Sequence, residues 1–271
     1  MRPDAGSSAT VILVMTCALS PRERLTAARR QLDEHLGDWT GLFVQGAVAG
    51  DDAATRLLDS SRARMWSKHP LTPTEVACYT SHRRCWEVLL NGPWEQALVL
   101  EDDFLLRDPE TVRKALHSAG LLLSQGRNLV KLFDYPRSRP DDYGLSRHVG
   151  GLTLMKWKRP RAGTVGYLVS RDGAQRLLAR RKVFRAVDED IRLYWELGLD
   201  VWSVPGNPVT DNGEALGGSL LEQGRRKSRN RLRLRAIKGF LIGAYRTVAN
   251  LVAFRQAFRR QQSARPDRAL T

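Results

Sequence analysis

Short apolar runs rich in β-formers recur along the chain, and segments with helical patterning separate them. The runs are Val11–Cys17, Leu42–Val44, Ala97–Leu100, Leu129–Phe133, Thr164–Ser170 and Val201–Val204. Continuous apolar strands of this kind are buried on both faces of a sheet. Between them, Pro21 opens a charged helix with Leu25, Ala28, Leu32 and Leu36 at helical spacing. Thr72-Pro73-Thr74-Glu75 reads as a helix start, with Thr72 as N-cap, Pro73 in the first turn and Glu75 closing a capping box. That helix should run to about Leu90, before Asn91-Gly92-Pro93. Residues 49–67, 109–124, Gly173–Arg181 and Val187–Leu197 read as further helices, and residues 134–162 as a long surface loop. Strands alternating with helices predict an α/β fold around a mostly parallel central sheet.

Composition supports one sizeable core. The chain has 271 residues, 42% of them apolar, which excludes wholesale disorder. Three cysteines, Cys17, Cys78 and Cys85, are too few and too unevenly spaced for a disulfide scaffold and favour a reducing compartment.

The sharpest local feature is Ala97-Leu98-Val99-Leu100-Glu101-Asp102-Asp103. A buried strand here delivers three acids at its C-terminal end, where open α/β sheets bind ligands. Adjacent carboxylates repel one another unless a cation offsets them. Hard divalent ions take such oxygens and share them with phosphates. The pattern points to a metal–diphosphate site, and a solvated acidic turn is the structural alternative. On the helix from Pro73, Glu75, Tyr79, His82 and Trp86 share one face, while Cys78, His82, Cys85 and Leu89 share an overlapping one. Two cysteines and one histidine on one helix lack a fourth ligand, so a Cys/His metal site is set aside. Asp188-Glu189-Asp190 opens the helix near residue 187. Acids there favour the helix dipole, and Asp188 is also a candidate general base.

In order, these segments resemble glycosyltransferase family 25. Leu71-Thr72-Pro73-Thr74-Glu75-Val76-Ala77-Cys78-Tyr79-Thr80-Ser81-His82 is similar to the family's block ending in Ser-His, with Thr74 and Ala77 where Gly is usual. Val11–Leu19 with Arg22-Glu23-Arg24, Ala97–Asp103, Gly163–Ser170 with Gly173-Ala174, and Val187-Asp188 with Pro205 are similar to its other elements, Glu23 replacing the usual Asp. The resemblance spans roughly residues 10–220. It implies a GT-A-like fold and an inverting transferase that moves a sugar, galactose first among candidates, from a nucleotide sugar such as UDP-galactose to a lipopolysaccharide or other surface glycan. It further implies Mn²⁺ or Mg²⁺ held by Glu101 and Asp103, with Asp102 adjacent. Arg24, Glu75 and His82 become donor-side candidates, and Asp188 the base ahead of Glu189 and Asp190. The competing reading is a non-catalytic binding module built on the same fold.

Charge divides the chain. Residues 221–271 hold 14 Lys+Arg against two acids, whereas residues 1–220 are nearly balanced at +3 of the total +15. This suggests a flexible start over residues 1–9, a transferase domain over 10–220 and a basic tail over 221–271. Within the tail, Ile237, Leu241, Ala244, Val248 and Leu251 form an apolar stripe, joined by Phe240, Tyr245, Val252 and Phe258. Arg235, Lys238, Arg246 and Arg260 take the other face, while Arg255 and Arg259 intrude on the stripe near its end. The pattern suits an interfacial helix on an anionic membrane, reached through residues 225–260 from the cytoplasmic side. Packing of the stripe on the body is the alternative. Nucleic acid is disfavoured, because no aromatics interleave the arginines. Val11–Leu19 is too short to span a membrane, and the polar residues before it argue against a signal peptide.

Overall fold

The computed structural model describes residues 9–66, 70–136, 144–213 and 233–263, and in the last segment the side chains of 242–259. Residues 1–8 of the expected flexible start (1–9), the tip of the expected loop (137–143) and the basic run 225–232 lie outside the described residues.

The chain begins with β1 (Thr10–Thr16), α1 (Arg22–His35) and β2 (Thr40–Gln45), followed by the short helices α2 (Asp52–Leu57) and α3 (Ser60–Trp66). The long helix α4 (Pro73–Asn91) leads into β3 (Gln96–Leu100) and β4 (Phe104–Leu106). Next come α5 (Pro109–His117), α6 (Ala119–Leu122), β5 (Leu129–Lys131), β6 (Gly144–Val149), β7 (Leu152–Trp157) and β8 (Gly166–Ser170). The helices α7 (Arg171–Leu178) and α8 (Val187–Arg192) precede a 3₁₀ turn (Tyr194–Leu197), β9 (Val201–Ser203), β10 (Val209–Asp211) and the terminal helix α9 (Arg233–Ser263).

Eight strands form one sheet in the order β2-β1-β3-β8-β5-β9-β7-β6. β1 pairs parallel with β2 and β3, and β5 parallel with β9, while β8 and β7 pair antiparallel with their neighbours. Six strands therefore run one way and two against them, in keeping with the expected mostly parallel sheet. Alternation along each strand sends side chains to two cores. Ile12, Val14, Leu98, Leu100 and Leu168 meet Ala28, Leu32, Val112 and Leu116 on one face. Val11, Leu13, Val99, Tyr167 and Val169 meet Tyr79, Trp86, Leu89, Ala174 and Ile191 on the other. Helices cover both faces, so the strands have no polar side to show, as their sequences required.

The capping box at α4 forms as read. The Glu75 N–H donates to Thr72 Oγ1 at 3.2 Å, and the Thr72 N–H donates to Glu75 Oε2 at 2.9 Å. The cap fixes where the helix starts and hence which face carries His82 and Trp86 inward, both at 0% exposure.

One expectation needs correction, and two features were not foreseen. Residues 134–162 are not one loop, because β6 and β7 form an antiparallel hairpin inside them. Its Gly150-Gly151 turn has φ of +57° and +76°, which glycine adopts without strain. A second, two-stranded sheet pairs β4 with β10, setting Asp211 opposite Phe104. Finally, α9 docks on the body through a face other than the apolar stripe, so the alternative in which the stripe packs on the body does not hold for its described residues. Ile242 and Phe254 are buried, whereas Val248, Val252, Tyr245 and Phe258 remain 42–62% exposed. Polar contacts decide the docking: Arg246 pairs with Glu189, and Trp195 Nε1 donates to Asn250 Oδ1 at 3.0 Å. Among the described residues, no helix is long and apolar enough to cross a membrane.

Candidate active site

β1 lies between β2 and β3, so the chain leaves its C-terminal end in one direction and returns on the other side. Such a point opens a crevice at the carboxyl ends of the strands. Glu101-Asp102-Asp103 follows β3 directly into this crevice.

Each acid is held differently. Glu101 accepts a hydrogen bond from Thr164 Oγ1 at 2.6 Å, and His82 Nε2 stands 3.6 Å from its Oε1. Burial alone would raise this carboxyl. His82, the Thr164 hydroxyl and Arg24 outweigh burial and hold it below its ordinary value. Asp102 accepts from Ser20 Oγ and from Arg24 Nη1, the latter at 2.9 Å. Asp103 meets the same Arg24 nitrogen at 3.1 Å through Oδ2, but its buried Oδ1 has no hydrogen-bond partner among the described residues. Burial pushes the Asp103 carboxyl up to about 7, aided by the charges of Glu101, Asp211 and Asp102 and opposed by Arg24.

Asp211 was not foreseen. It arrives through the β4–β10 pairing, and its Oδ1 accepts the Gly213 N–H at 2.7 Å. A Cβ on Gly213 would lie 3.0 Å from Asp211 Oδ1 and 3.1 Å from Asp103 Oδ2, so the glycine lets these carboxylates face a common space. Val209-Thr210-Asp211 repeats, in miniature, the pattern of an apolar strand ending in acid, and that was the available signal. Ser20 and Thr164 carried no comparable signal.

The group implied here is a hard divalent cation. Several carboxylates, an unpartnered buried oxygen and one arginine among them fit such an ion.

The other expected residues divide. His82 is fully buried beside Glu101, where it can order the acidic turn. Glu75 serves the α4 cap rather than a ligand. Arg24, expected against donor phosphates, is 4% exposed and pairs with Asp102 and Asp103. Asp188 begins α8, near enough for its charge to act on Cys78 and Lys131. Glu189 is paired with Arg246 at 2.8 Å. Asp190 accepts from Tyr79 Oη at 2.8 Å and from Arg180 at 3.0 and 3.1 Å. Those pairings commit Glu189 and Asp190 to partners within the protein. Burial and the surrounding carboxylates, Glu101 first, raise the Cys78 thiol well above its ordinary range.

Comparison with known proteins bears on this site. A glycosyltransferase 25 family member from Aedes aegypti is 30% identical over 131 residues, 46% of this chain and 20% of that protein. A second, from Anopheles gambiae, is 27% identical over 182 residues, 62% of this chain and 29% of that protein. Human procollagen galactosyltransferase 2 is 27% identical over 113 residues, 42% of this chain and 18% of that protein. The matches thus span between about a fifth and three tenths of these relatives. The model of glycosyltransferase family 25 (LPS biosynthesis protein) matches residues 42–191, which include α4, the acidic triplet, β8 and Asp188. With more than half of its length matched, the chain belongs to glycosyltransferase family 25.

Proposed function

We propose that this chain is an inverting glycosyltransferase that moves a hexosyl group, galactose first, from a nucleoside-diphosphate sugar to a hydroxyl of a lipopolysaccharide or other surface glycan. The observation that carries the reading is Asp103: a buried carboxylate with an unpartnered oxygen, pushed up to about 7 amid Glu101, Asp211 and Asp102. A solvated acidic turn would not have these properties. Family membership supports the reaction class, and the name of the human relative supports galactose.

Glu101 and Asp103, with Asp211 facing them, would hold Mn²⁺ or Mg²⁺. Such a cation supplies Lewis acidity toward the departing diphosphate. Arg24 holds Asp102 and Asp103 in place and limits their mutual repulsion. His82 and Thr164 fix Glu101. Asp188 takes the proton from the acceptor hydroxyl as that oxygen attacks the anomeric carbon from the face opposite the leaving group. The test is nucleotide release from UDP-, GDP- and CMP-sugars with Mn²⁺ and in chelator. Release from one nucleotide class, lost in chelator, is expected; no release from any donor would overturn the reading.

The acceptor side is proposed to lie at the cytoplasmic face of a membrane. The exposed Tyr245, Val248, Val252 and Phe258 on α9, beside exposed Arg255 and Arg259, suit an anionic lipid surface. Deletion of residues 222–271 should release the protein from anionic liposomes in a sedimentation assay, and continued co-sedimentation would refute the anchor.

A further inference from the structure

Cys78 and His82 stand four residues apart on α4, so both side chains leave the same face of the helix. Cys85, the other cysteine of that helix, does not join them. The fold supplies a third ligand from the strand end. Cys78 Sγ, a His82 ring nitrogen and a Glu101 carboxylate oxygen all lie within 4.8 Å of one another, the one such grouping among the described residues.

Three observations give this cluster the character of a built site. His82 is completely buried, yet its Nε2 has no hydrogen-bond partner among the described residues. That nitrogen points at Glu101 Oε1 from 3.6 Å, too far for a hydrogen bond. The opposite nitrogen, Nδ1, is anchored 2.9 Å from Tyr167 Oη, which also accepts the Trp86 Nε1–H at 2.9 Å. Ring orientation is therefore set from behind, as outer-shell partners set it in metal-bound histidines. Ring contacts with Trp86 and Tyr167, with centroids 6.1 and 5.7 Å away, restrict it further.

We propose that Cys78, His82 Nε2 and Glu101 form a site for a borderline-soft divalent ion of the zinc type. Thiolate, imidazole and carboxylate together select such an ion over Mg²⁺ or Ca²⁺, which take oxygen ligands. Ligand distances of about 2.0–2.3 Å require the three atoms to draw together slightly, which rotation of the Cys78 and Glu101 side chains can supply. Both of those residues are partly exposed while His82 is not, so the ion enters from the crevice and keeps a fourth position toward it. On binding, Cys78 gives up its thiol proton and the imidazole presents a bare Nε2, with any Nδ1–H donated to Tyr167 Oη; the released protons go to solvent. The site shares Glu101 and His82 with the proposed transferase centre and does not use Asp103; its test reads metal binding to Cys78 rather than sugar transfer, so either reading can fail while the other stands.

The test uses the full chain stripped of metal and titrated with Co²⁺, then challenged with Zn²⁺. A thiolate-to-cobalt charge-transfer band should grow to saturation at one equivalent and vanish when Zn²⁺ displaces the cobalt. Cys78→Ser should abolish the band and weaken Zn²⁺ binding by at least about tenfold, the loss that follows removal of even an outer-shell partner. Cys17→Ser should leave both unchanged. Absence of the band in the wild-type chain, or its persistence in Cys78→Ser, overturns the proposal. As a check that needs no variant, Zn²⁺ should protect Cys78 from iodoacetamide, read by peptide mass spectrometry; equal labelling with and without Zn²⁺ overturns it too.

Discussion

Two acidic triplets, one following β3 and one opening α8, are neutralised very differently. In Asp188-Glu189-Asp190, Asp190 is met by Tyr79, Arg180 and Arg185, and Glu189 by both terminal nitrogens of Arg246. In Glu101-Asp102-Asp103, Arg24 is shared between two carboxylates, and a fourth acid, Asp211, adds to the repulsion. The first arrangement answers its charges inside the protein. The second leaves a buried oxygen of Asp103 unpartnered. An internal arginine cannot leave when a phosphate arrives, but a cation can come and go with the donor. The under-neutralised triplet is the one suited to a ligand site, and in the other Glu189 and Asp190 tie α8 to α9 and α4.

That contrast can be broken by substitution. Asp188→Asn should lower turnover by about 10²–10⁴, the range for losing a general base, while Glu189→Gln leaves turnover within a few-fold. Equal losses in both would end the assignment. Asp103→Asn should cost about 10²–10³ in turnover without lowering the melting temperature in chelator. Its surroundings disfavour the charged carboxylate, so a neutral replacement relieves them; a marked fall in melting temperature would contradict this. Arg180→Ala should act on stability instead. It strips a buried carboxylate of its bidentate partner, at a cost of roughly 3–5 kcal/mol in denaturant unfolding. The smallest effect is expected from Arg246→Ala. This pair is partly exposed and worth about 1 kcal/mol or less, but its loss should speed hydrogen exchange in α9, and unchanged exchange would show that the helix is held by other contacts.

Much of this was readable from residues, and the failures have physical causes. The capping box at Thr72–Glu75 and the strand Ala97–Leu100 are local features, and both formed as read. Asp211 was missed because β4 and β10 have three residues each, too few to carry a period, and exist by pairing with one another. The β6–β7 hairpin was hidden by its polar flanks and by Lys156, a buried cation that interrupts the alternation and pairs with Asp200. For α9, apolar periodicity identified a real stripe but not the docking face, which follows Arg246 and Asn250. Arg24 was found as an important position and expected against phosphates, whereas it pairs with Asp102 and Asp103; His82, read as a donor contact or as a support of the metal loop, stands beside Glu101 in keeping with the second reading.

The central claim is that the Glu101–Asp103 triplet, with its unpartnered Asp103 oxygen, binds a divalent cation that the internally paired Glu189 and Asp190 do not call for. Electron paramagnetic resonance of Mn²⁺, titrated with the metal-free chain in the presence of UDP, measures this directly. The wild-type chain should quench the free-ion signal at one equivalent, and Asp103→Asn should leave the signal of free Mn²⁺ intact. Quenching by Asp103→Asn equal to the wild type, or none by either, would contradict the account.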